Sequence, residues 1–147
     1  MAGASKRVVV ITGCDTGFGL LSAIDLASTG YRVVAACLTQ EGVTKLQKQV
    51  TIAILCDVTS EEDVARLAGV VEKLVEEEGL CLWAVVNNAG IAPLGYIDWL
   101  PMTVIRKAME VTASATASLI LSLYTCIASI CHDFYLYDHS CLSFISY

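Results

Sequence analysis

Eight residues near the start of the chain, Thr12 to Gly19, read TGCDTGFG and contain three glycines. They lie between an apolar run and a stretch with helical spacing. In such a junction Gly13 permits a tight turn, Gly17 lets the backbone approach a diphosphate, and Gly19 lets the next helix pack closely. The N-terminus of that helix offers N–H groups and a positive dipole end to an anion. The stretch therefore predicts a phosphate cradle, and the alternative is a purely structural turn.

The segments that position this stretch alternate between strand and helix patterns. Short apolar, β-branched runs predict strands, and apolar residues three and four apart predict helices. The predicted strands are Arg7 to Thr12, Tyr31 to Leu38, Val50 to Cys56 and Leu82 to Val86. The predicted helices are Gly19 to Ser28, a short helix from Glu41, a long helix capped by Thr59 or Ser60, and a helix opened by Pro101. Repeated βα units of this kind are typical of α/β proteins.

The long helix after Ser60 has one apolar and one acidic face. Asp63 follows Ser60 by three residues, as in a variant of the capping box. The apolar positions are Val64, Leu67, Ala68, Val71, Leu74 and Val75. The acidic residues point elsewhere, so we interpret them as a solvated face.

Near-continuous apolar strands separated by helices indicate a parallel sheet that is covered on both faces. Because crossover connections are right-handed, we predict a Rossmann-like, doubly wound parallel α/β sheet with its first four strands in the order 3-2-1-4. The switch point then lies between the first and fourth strands, next to the glycine-rich stretch. In this interpretation residues 1–111 form a dinucleotide-binding half with an incomplete sheet.

Three motifs in order resemble the short-chain dehydrogenase/reductase family. They are Thr12 to Gly19, Cys56-Asp57-Val58 after the third strand, and Asn87-Asn88-Ala89-Gly90 after the fourth. The fuller stretches ITGCDTGFG and VVAACLT are similar to its retinol, 17β-hydroxysteroid and 3-hydroxybutyrate dehydrogenase branch. The resemblance covers roughly residues 6 to 111. It implies an NAD(P)-dependent oxidoreductase acting on a hydroxyl or carbonyl of a steroid- or retinoid-like substrate.

The resemblance also implies which residues bind the cofactor. Gly13, Asp15, Gly17, Phe18 and Gly19 would lie near the diphosphate and the adenosine ribose, Asp57 and Val58 near the adenine, and Asn87, Ala89 and Gly90 beside the cofactor. For Asn87 and Asn88 a second interpretation stays open, in which they chiefly hydrogen-bond neighbouring strands.

The end of the second strand bears on the choice between NAD and NADP. An acid there accepts hydrogen bonds from ribose hydroxyls, whereas an arginine pairs with a 2′-phosphate. The sequence has Cys37 and Leu38 at this point, and Thr16 stands just before Gly17. Asp15 would repel a 2′-phosphate. NAD is therefore expected over NADP.

The resemblance fails at the catalytic residues. The family has a Tyr with a Lys four residues later, but none of the six tyrosines here has a lysine at that distance, and the last lysine is Lys107. Thr112 stands where the family has Asn. We therefore predict no catalytic residue and interpret the chain as a truncated, cofactor-binding form of a dehydrogenase that is inactive alone. The alternative is a non-catalytic nucleotide-binding or interaction protein derived from that family.

Residues 112–147 form an apolar tail that we do not interpret as a separate domain. The 22 residues after Glu110 carry no charged side chain apart from His132. A membrane span needs about 20 apolar residues, but Val111 to Ser118 is mostly Ala, Ser and Thr. A helix that continues from Pro101 and packs on the sheet is therefore favoured over membrane contact. The tail residues Cys126, Cys131, His132, His139 and Cys141 match no common zinc pattern, so no metal site is expected.

Composition narrows the partners and the compartment. The net charge is -6 and the basic residues form no stripe, which argues against nucleic acid. Seven cysteines without a disulfide framework, the first four interpreted as small core residues, favour an intracellular location, cytoplasmic or peripheral to an internal membrane. If nothing covers the fourth strand, Leu82 to Val86 becomes an apolar edge, and self-association or pairing with full-length relatives is expected.

Overall fold

The computed structural model describes residues 3–96, 98–130, 135–138 and 145–146. Its strands are β1 (Arg7–Thr12), β2 (Arg32–Cys37), β3 (Ile52–Leu55), β4 (Cys81–Asn87), β5 (Tyr135–Asp138) and β6 (Ile145–Ser146). They form one sheet in the order β3-β2-β1-β4-β5-β6. The strands up to β5 pair in parallel, and β6 pairs antiparallel with β5. The predicted order of the first four strands is confirmed.

Helices cover both faces of this sheet. They are α1 (Gly17–Ser28), α2 (Gln40–Leu46), α3 (Glu61–Glu78), α4 (Met102–Met109) and α5 (Ala115–Ile130), with a 3-10 helix at Ala4–Lys6 and a π-helical turn at Glu110–Ser114 between α4 and α5. Side chains alternate along β1, as they do in any strand. Val8 and Val10 belong to the core under α3 and α5, and Val9 and Ile11 to the core under α1 and α2.

The helix α3 forms as its sequence pattern predicts, with one difference at its start. All six predicted apolar positions are buried: Val64, Leu67, Ala68, Val71, Leu74 and Val75. The Ser60 hydroxyl accepts a hydrogen bond from the Asp63 N–H at 3.3 Å. The Asp63 carboxylate does not return to Ser60 but accepts from the Asp57 N–H at 2.9 Å. Asp63 thereby joins the helix start to the loop after β3.

The tail continues the fold. Pro101 precedes α4, and α5 buries Leu119 and Leu123 in the same core as α3. The predicted packing of this helix on the sheet is confirmed. The condition for an open apolar edge at β4 is not met, because the tail strand β5 pairs with β4 from Ala84↔Tyr135 to Asn87↔Asp138. An exposed β4 edge therefore gives no reason to expect self-association.

The described residues also bear on the expectations about the membrane, metal sites and the cysteines. Within the described part of the chain, no helix has the length and hydropathy that a bilayer crossing requires. The same residues contain no group of three or more His, Cys, Asp or Glu side chains that could hold a metal ion. Cys131, His132, His139 and Cys141 lie outside the described residues. Cys14, Cys37 and Cys56 are free and buried, as expected of core residues, whereas Cys81 is disulfide-bonded.

We expect Leu119→Ala to lower the free energy of unfolding by about 2–5 kcal/mol, because it removes a fully buried side chain and leaves a cavity. The matched control is Leu121→Ala on the same helix. Leu121 is 74% exposed, so its truncation should change the stability by less than about 0.5 kcal/mol. Urea denaturation followed by far-UV circular dichroism measures both. Equal effects would contradict the packing of α5 on the sheet.

Candidate functional site

A cleft of about 380 Å³ opens where β1, β2, β3 and β4 end. Doubly wound sheets bind ligands at this carboxyl edge, at the switch point of the strand order. Eight of the twelve residues predicted to bind the cofactor line it: Gly13, Asp15, Phe18, Leu38, Asp57, Val58, Ala89 and Gly90. The other four, Gly17, Gly19, Cys37 and Asn87, are not in its lining. The fold thus gathers residues from four separate loops around one space.

The glycine-rich loop makes approaches that side chains would prevent. Gly13 has φ 68° and Gly17 has φ 62°, a backbone conformation that favours glycine. A Cβ on Gly13 would lie 2.9 Å from the Ala89 Cα. A Cβ on Gly19 would collide with the Gly13 carbonyl oxygen and lie 2.5 Å from the Asn88 Nδ2. Gly13 and Gly19 are therefore needed for the packing of the loop, whereas the space beside Gly17 is open.

The end of β1 is tied to the end of β4 by four hydrogen bonds. The Thr12 hydroxyl oxygen accepts from the N–H groups of Asn88 at 3.2 Å and Ala89 at 3.0 Å. In the other direction, the Asn88 side-chain amide donates to the carbonyls of Thr12 at 2.9 Å and Gly13 at 3.0 Å. These bonds hold the glycine-rich loop against the loop after β4. We refer to these groups of Thr12, Gly13, Asn88 and Ala89 as the β1–β4 latch.

The helix α1 begins inside the glycine-rich loop, at Gly17. Its N-cap residue Thr16 has extended backbone, and its side chain makes no hydrogen bond to the first turn. The first turn therefore lacks the side-chain acceptor that usually satisfies one of its N–H groups. Thr16 and Phe18 both line the cleft. The arrangement suits an anion, because N–H groups and the positive end of the helix dipole point the same way.

The Asp15 carboxylate connects the glycine-rich loop to the end of β2. It accepts hydrogen bonds from the Leu38 N–H at 2.8 Å, the Thr39 N–H at 2.8 Å and the Thr39 hydroxyl at 2.6 Å. Partial burial alone would raise the pKa of Asp15, but the hydrogen bonds from Thr39 and Leu38 outweigh burial and hold the pKa below its usual value. Asp15 is therefore ionised at neutral pH.

The Asp57 carboxylate is fixed in a similar way at the end of β3. It accepts from the Thr59 N–H at 2.9 Å and the Thr59 hydroxyl at 2.7 Å. These bonds lower the pKa of Asp57, and the Lys107 ammonium acts in the same direction. Lys107 comes from α4 and is the only Lys or Arg in the cleft lining within the described part of the chain. The cleft therefore carries two carboxylates and one cation.

Two predicted residues have side chains in the protein interior. Cys37 is fully buried, and burial raises its pKa to about 11, so it is a neutral thiol. Asn87 is 5% exposed, and its Nδ2 has no hydrogen-bond partner among the described residues. It lines a cavity of about 10 Å³ with Thr12 and Thr116. The strand-bridging role that we considered for both asparagines is performed by the side chain of Asn88.

A π-helical turn borders the cleft on the side of α5. It contains Thr112, at the position where the family has Asn, and Val111, which lines the cleft. A Cβ on Gly90 would lie 3.6 Å from the Thr112 hydroxyl oxygen. The Thr112 carbonyl accepts from the Thr116 hydroxyl at 2.9 Å. π-helical turns within α-helices occur frequently at functional sites.

Four residues that build this site were not among the predicted cofactor-binding residues: Thr12, Thr39, Asn88 and Lys107. Of these, Asn88 was considered only as a bridge between strands. Thr12 and Asn88 lie inside the recognised motifs, so the motifs could have identified them as site residues. Thr39 directly follows Leu38, and its hydroxyl marks the start of a helix. Lys107 lies far from every motif, and nothing in its local sequence indicates that α4 brings it to the cleft.

Comparison with known proteins relates this arrangement to a large group of enzymes. The family described as short chain dehydrogenase matches residues 7–129. The match continues past residue 111, where we expected the resemblance to end. Bovine dehydrogenase/reductase SDR family member 9 is 40% identical over 129 residues, covering 84% of this chain and 39% of that protein. Human retinol dehydrogenase 5 is 38% identical, covering 82% of this chain and 38% of the relative.

One more relative and two solved structures are similar to this chain over most of its length. Bovine 17-beta-hydroxysteroid dehydrogenase type 6 is 36% identical, covering 80% of this chain and 38% of its own length. The chain thus spans about two fifths of the length of these relatives. A short-chain dehydrogenase from Streptomyces avermitilis superimposes with a TM-score of 0.69 at 24% identity, covering 81% of this chain and 44% of its own. Thermoplasma acidophilum aldohexose dehydrogenase gives 0.67 at 24% identity, covering 83% and 44%. These two structures support the fold.

We expect Thr12→Val to destabilise the protein by about 1–3 kcal/mol, because it leaves the N–H groups of Asn88 and Ala89 without their acceptor. Thr12→Ser is the matched control, since it keeps the hydroxyl and should cost less. Chemical denaturation measures the stability, and amide hydrogen exchange at Ala89 measures the local effect. Exchange at Ala89 should accelerate in Thr12→Val alone. Identical behaviour of the two variants would contradict the role of the hydroxyl.

Proposed function

Because the chain belongs to the short-chain dehydrogenase family, we propose that it binds a nicotinamide dinucleotide in the cleft at the carboxyl edge of the sheet. The observation that carries this proposal is the geometry of the glycine-rich loop. Gly13 and Gly19 leave no room for a Cβ, and nothing lies within 4 Å of the Cβ position of Gly17 at the start of α1. The diphosphate would lie beside Gly17, where backbone N–H groups can approach its oxygens.

The walls of the cleft suit the adenosine part of such a ligand. Phe18 and Leu38 are 72% and 62% exposed, and both line the cleft together with Val58. Large apolar side chains exposed beside a cavity are a feature of ligand pockets. The adenine ring would lie against these side chains, with Asp57 at its edge. In this arrangement the nicotinamide would extend toward Ala89 and Gly90.

The charge distribution favours NAD over NADP. Recognition of a 2′-phosphate usually requires an arginine or another cation near the end of β2. Leu38 directly follows the end of β2, and Thr16 directly precedes Gly17 in the glycine-rich loop; both line the cleft, and neither is basic. Lys107, the single Lys or Arg that lines the cleft among the described residues, instead lowers the pKa of Asp57 at the end of β3.

The relatives support a proposal for the substrate class. They include a retinol dehydrogenase and a 17-beta-hydroxysteroid dehydrogenase. We propose that the protein is an oxidoreductase related to enzymes that act on a hydroxyl or carbonyl of a steroid- or retinoid-like molecule. Hydride transfer at such a carbon needs a proton donor or acceptor at its oxygen. The 147 residues contain no Tyr with a Lys four positions later, so we propose cofactor binding without turnover. This is also the behaviour expected of a non-catalytic nucleotide-binding relative.

Binding is tested by titrating NADH into the purified chain and following its fluorescence. We expect saturable binding that Gly19→Ala weakens at least about tenfold, because the new Cβ collides with the Gly13 carbonyl. Gly69→Ala is the matched control: Gly69 is also in a helix, but nothing lies within 4 Å of its Cβ position. Gly69→Ala should bind normally. No binding by the unmodified chain would refute the proposal, and equal affinities of all three proteins would refute the cradle.

Turnover is tested separately with NAD and retinol or a 17β-hydroxysteroid. We expect no NADH formation above the protein-free rate, because the chain has no Tyr–Lys pair to accept the hydroxyl proton. A full-length relative assayed in parallel shows that the substrates and conditions are competent. Alcohol-dependent NADH production by the pure chain would contradict this part of the proposal while leaving cofactor binding intact.

A further inference from the structure

A small cavity lies between the carboxyl ends of β1 and β4 and the start of α5. Its volume is about 10 Å³, which is about the smallest space that holds one ordered water molecule. Its polar side chains are Thr12 at the end of β1, Asn87 at the end of β4 and Thr116 in α5. The rest of the lining is apolar: Val58, Ala89, Val111, Ala115 and Leu119.

The side-chain amide of Asn87 is buried without a hydrogen-bond partner. Asn87 is 5% exposed, and its Nδ2 has no acceptor among the described residues. Buried N–H groups in folded proteins are almost always paired, either with a protein group or with an ordered water molecule. Asn87 therefore needs an acceptor in the cavity that it lines.

The Thr12 hydroxyl has a proton to donate at the same place. A hydroxyl oxygen has two lone pairs and carries one proton. Both lone pairs of Thr12 Oγ1 accept backbone N–H groups, those of Asn88 and Ala89. Within the described part of the chain, no acceptor takes its proton. Because Thr12 is 2% exposed, bulk water does not reach this group.

The Thr116 hydroxyl supplies the complementary group. Its proton is donated to the Thr112 carbonyl at 2.9 Å, so the lone pairs of its oxygen are left to accept. The cavity thus has two donors, on Asn87 and Thr12, and one acceptor, on Thr116. A cation would meet the two donors, an anion has no proton for Thr116, and a molecule larger than water does not fit.

We propose that this cavity is a binding site for one ordered water molecule, which accepts hydrogen bonds from Asn87 and Thr12 and donates one to Thr116. Three hydrogen bonds are typical of a buried water. The water directs the Thr12 proton into the cavity and so keeps both lone pairs of the hydroxyl on the N–H groups of the β1–β4 latch. It also joins the latch to the helix α5. The inference does not depend on the proposed function, because it needs no nucleotide in the cleft.

The test is nuclear magnetic resonance of the nucleotide-free chain. We expect cross-peaks between water and the Asn87 side-chain amide protons, with opposite signs in laboratory-frame and rotating-frame Overhauser spectra, as a long-lived bound water gives. Ala115→Val should abolish them, because Ala115 is buried in the cavity wall and the larger side chain fills the space. Amide exchange at Ala89 should then accelerate about threefold to tenfold, because the Thr12 proton loses its acceptor.

Ala117→Val is the matched control, since Ala117 lies on the same helix but is exposed; it should keep both the cross-peaks and the slow exchange. Thr116→Val preserves the side-chain shape but removes the acceptor. It should weaken the cross-peaks and replaces Ala115→Val if that variant does not fold. Absence of the cross-peaks in the unmodified chain would overturn the inference. Their persistence in Ala115→Val would do the same, because they would then arise from hydroxyl exchange with solvent. Neither result affects the proposed function.

Discussion

The Thr12 hydroxyl accepts hydrogen bonds from two N–H groups of the loop after β4, and the rest of the site depends on these two bonds. It joins the two strands between which the order of the sheet reverses. The Asn88 amide completes the β1–β4 latch by donating to the carbonyls of Thr12 and Gly13. Backbones approach closely here only because Gly13 and Gly19 have no Cβ. The shape of the cleft is therefore set by backbone groups that satisfy one another.

Backbone N–H groups also hold the charged side chains of the cleft. The ionised carboxylate of Asp15 accepts hydrogen bonds from the N–H and hydroxyl of Thr39, in the loop after β2. The ionised carboxylate of Asp57 accepts from the N–H and hydroxyl of Thr59, in the loop after β3. These donors keep the carboxylates ionised and oriented. An anionic ligand must then rely on the start of α1 and on Lys107. Such a cleft suits a dinucleotide whose diphosphate lies at the positive end of the α1 dipole.

The second half of the chain has a structural part in this arrangement. The helix α5 contributes Leu119 and Leu123 to the core that also contains α3 and β1. The π-helical turn before it brings Val111 and Thr112 to the border of the cleft. The strand β5 pairs with β4 and so moves the sheet edge away from the site. The cleft is thus supported on both sides of β4, although the chain covers only about two fifths of its relatives' length.

Local patterns were sufficient for the first four strands and the helices between them. Apolar periodicity identified every buried residue of α3, and the motifs placed eight of twelve predicted site residues in the cleft. These features depend on neighbours in sequence or on a motif that occupies one edge of a parallel sheet. The pairing of β5 with β4 was not predicted, because a strand of four residues is too short to carry a periodic signal and its partner lies far away in sequence.

What the sequence determined by itself was the order of the elements and the presence of a glycine-rich loop beside the switch point. Only the tertiary structure decided which groups that loop meets. It turned Asp15 toward the backbone of Leu38 and Thr39 and brought Lys107 into the cleft. The physical reason is that a side chain's partners are set by the approach of separate elements, and residues 23 or 24 apart become neighbours only when the strands pair.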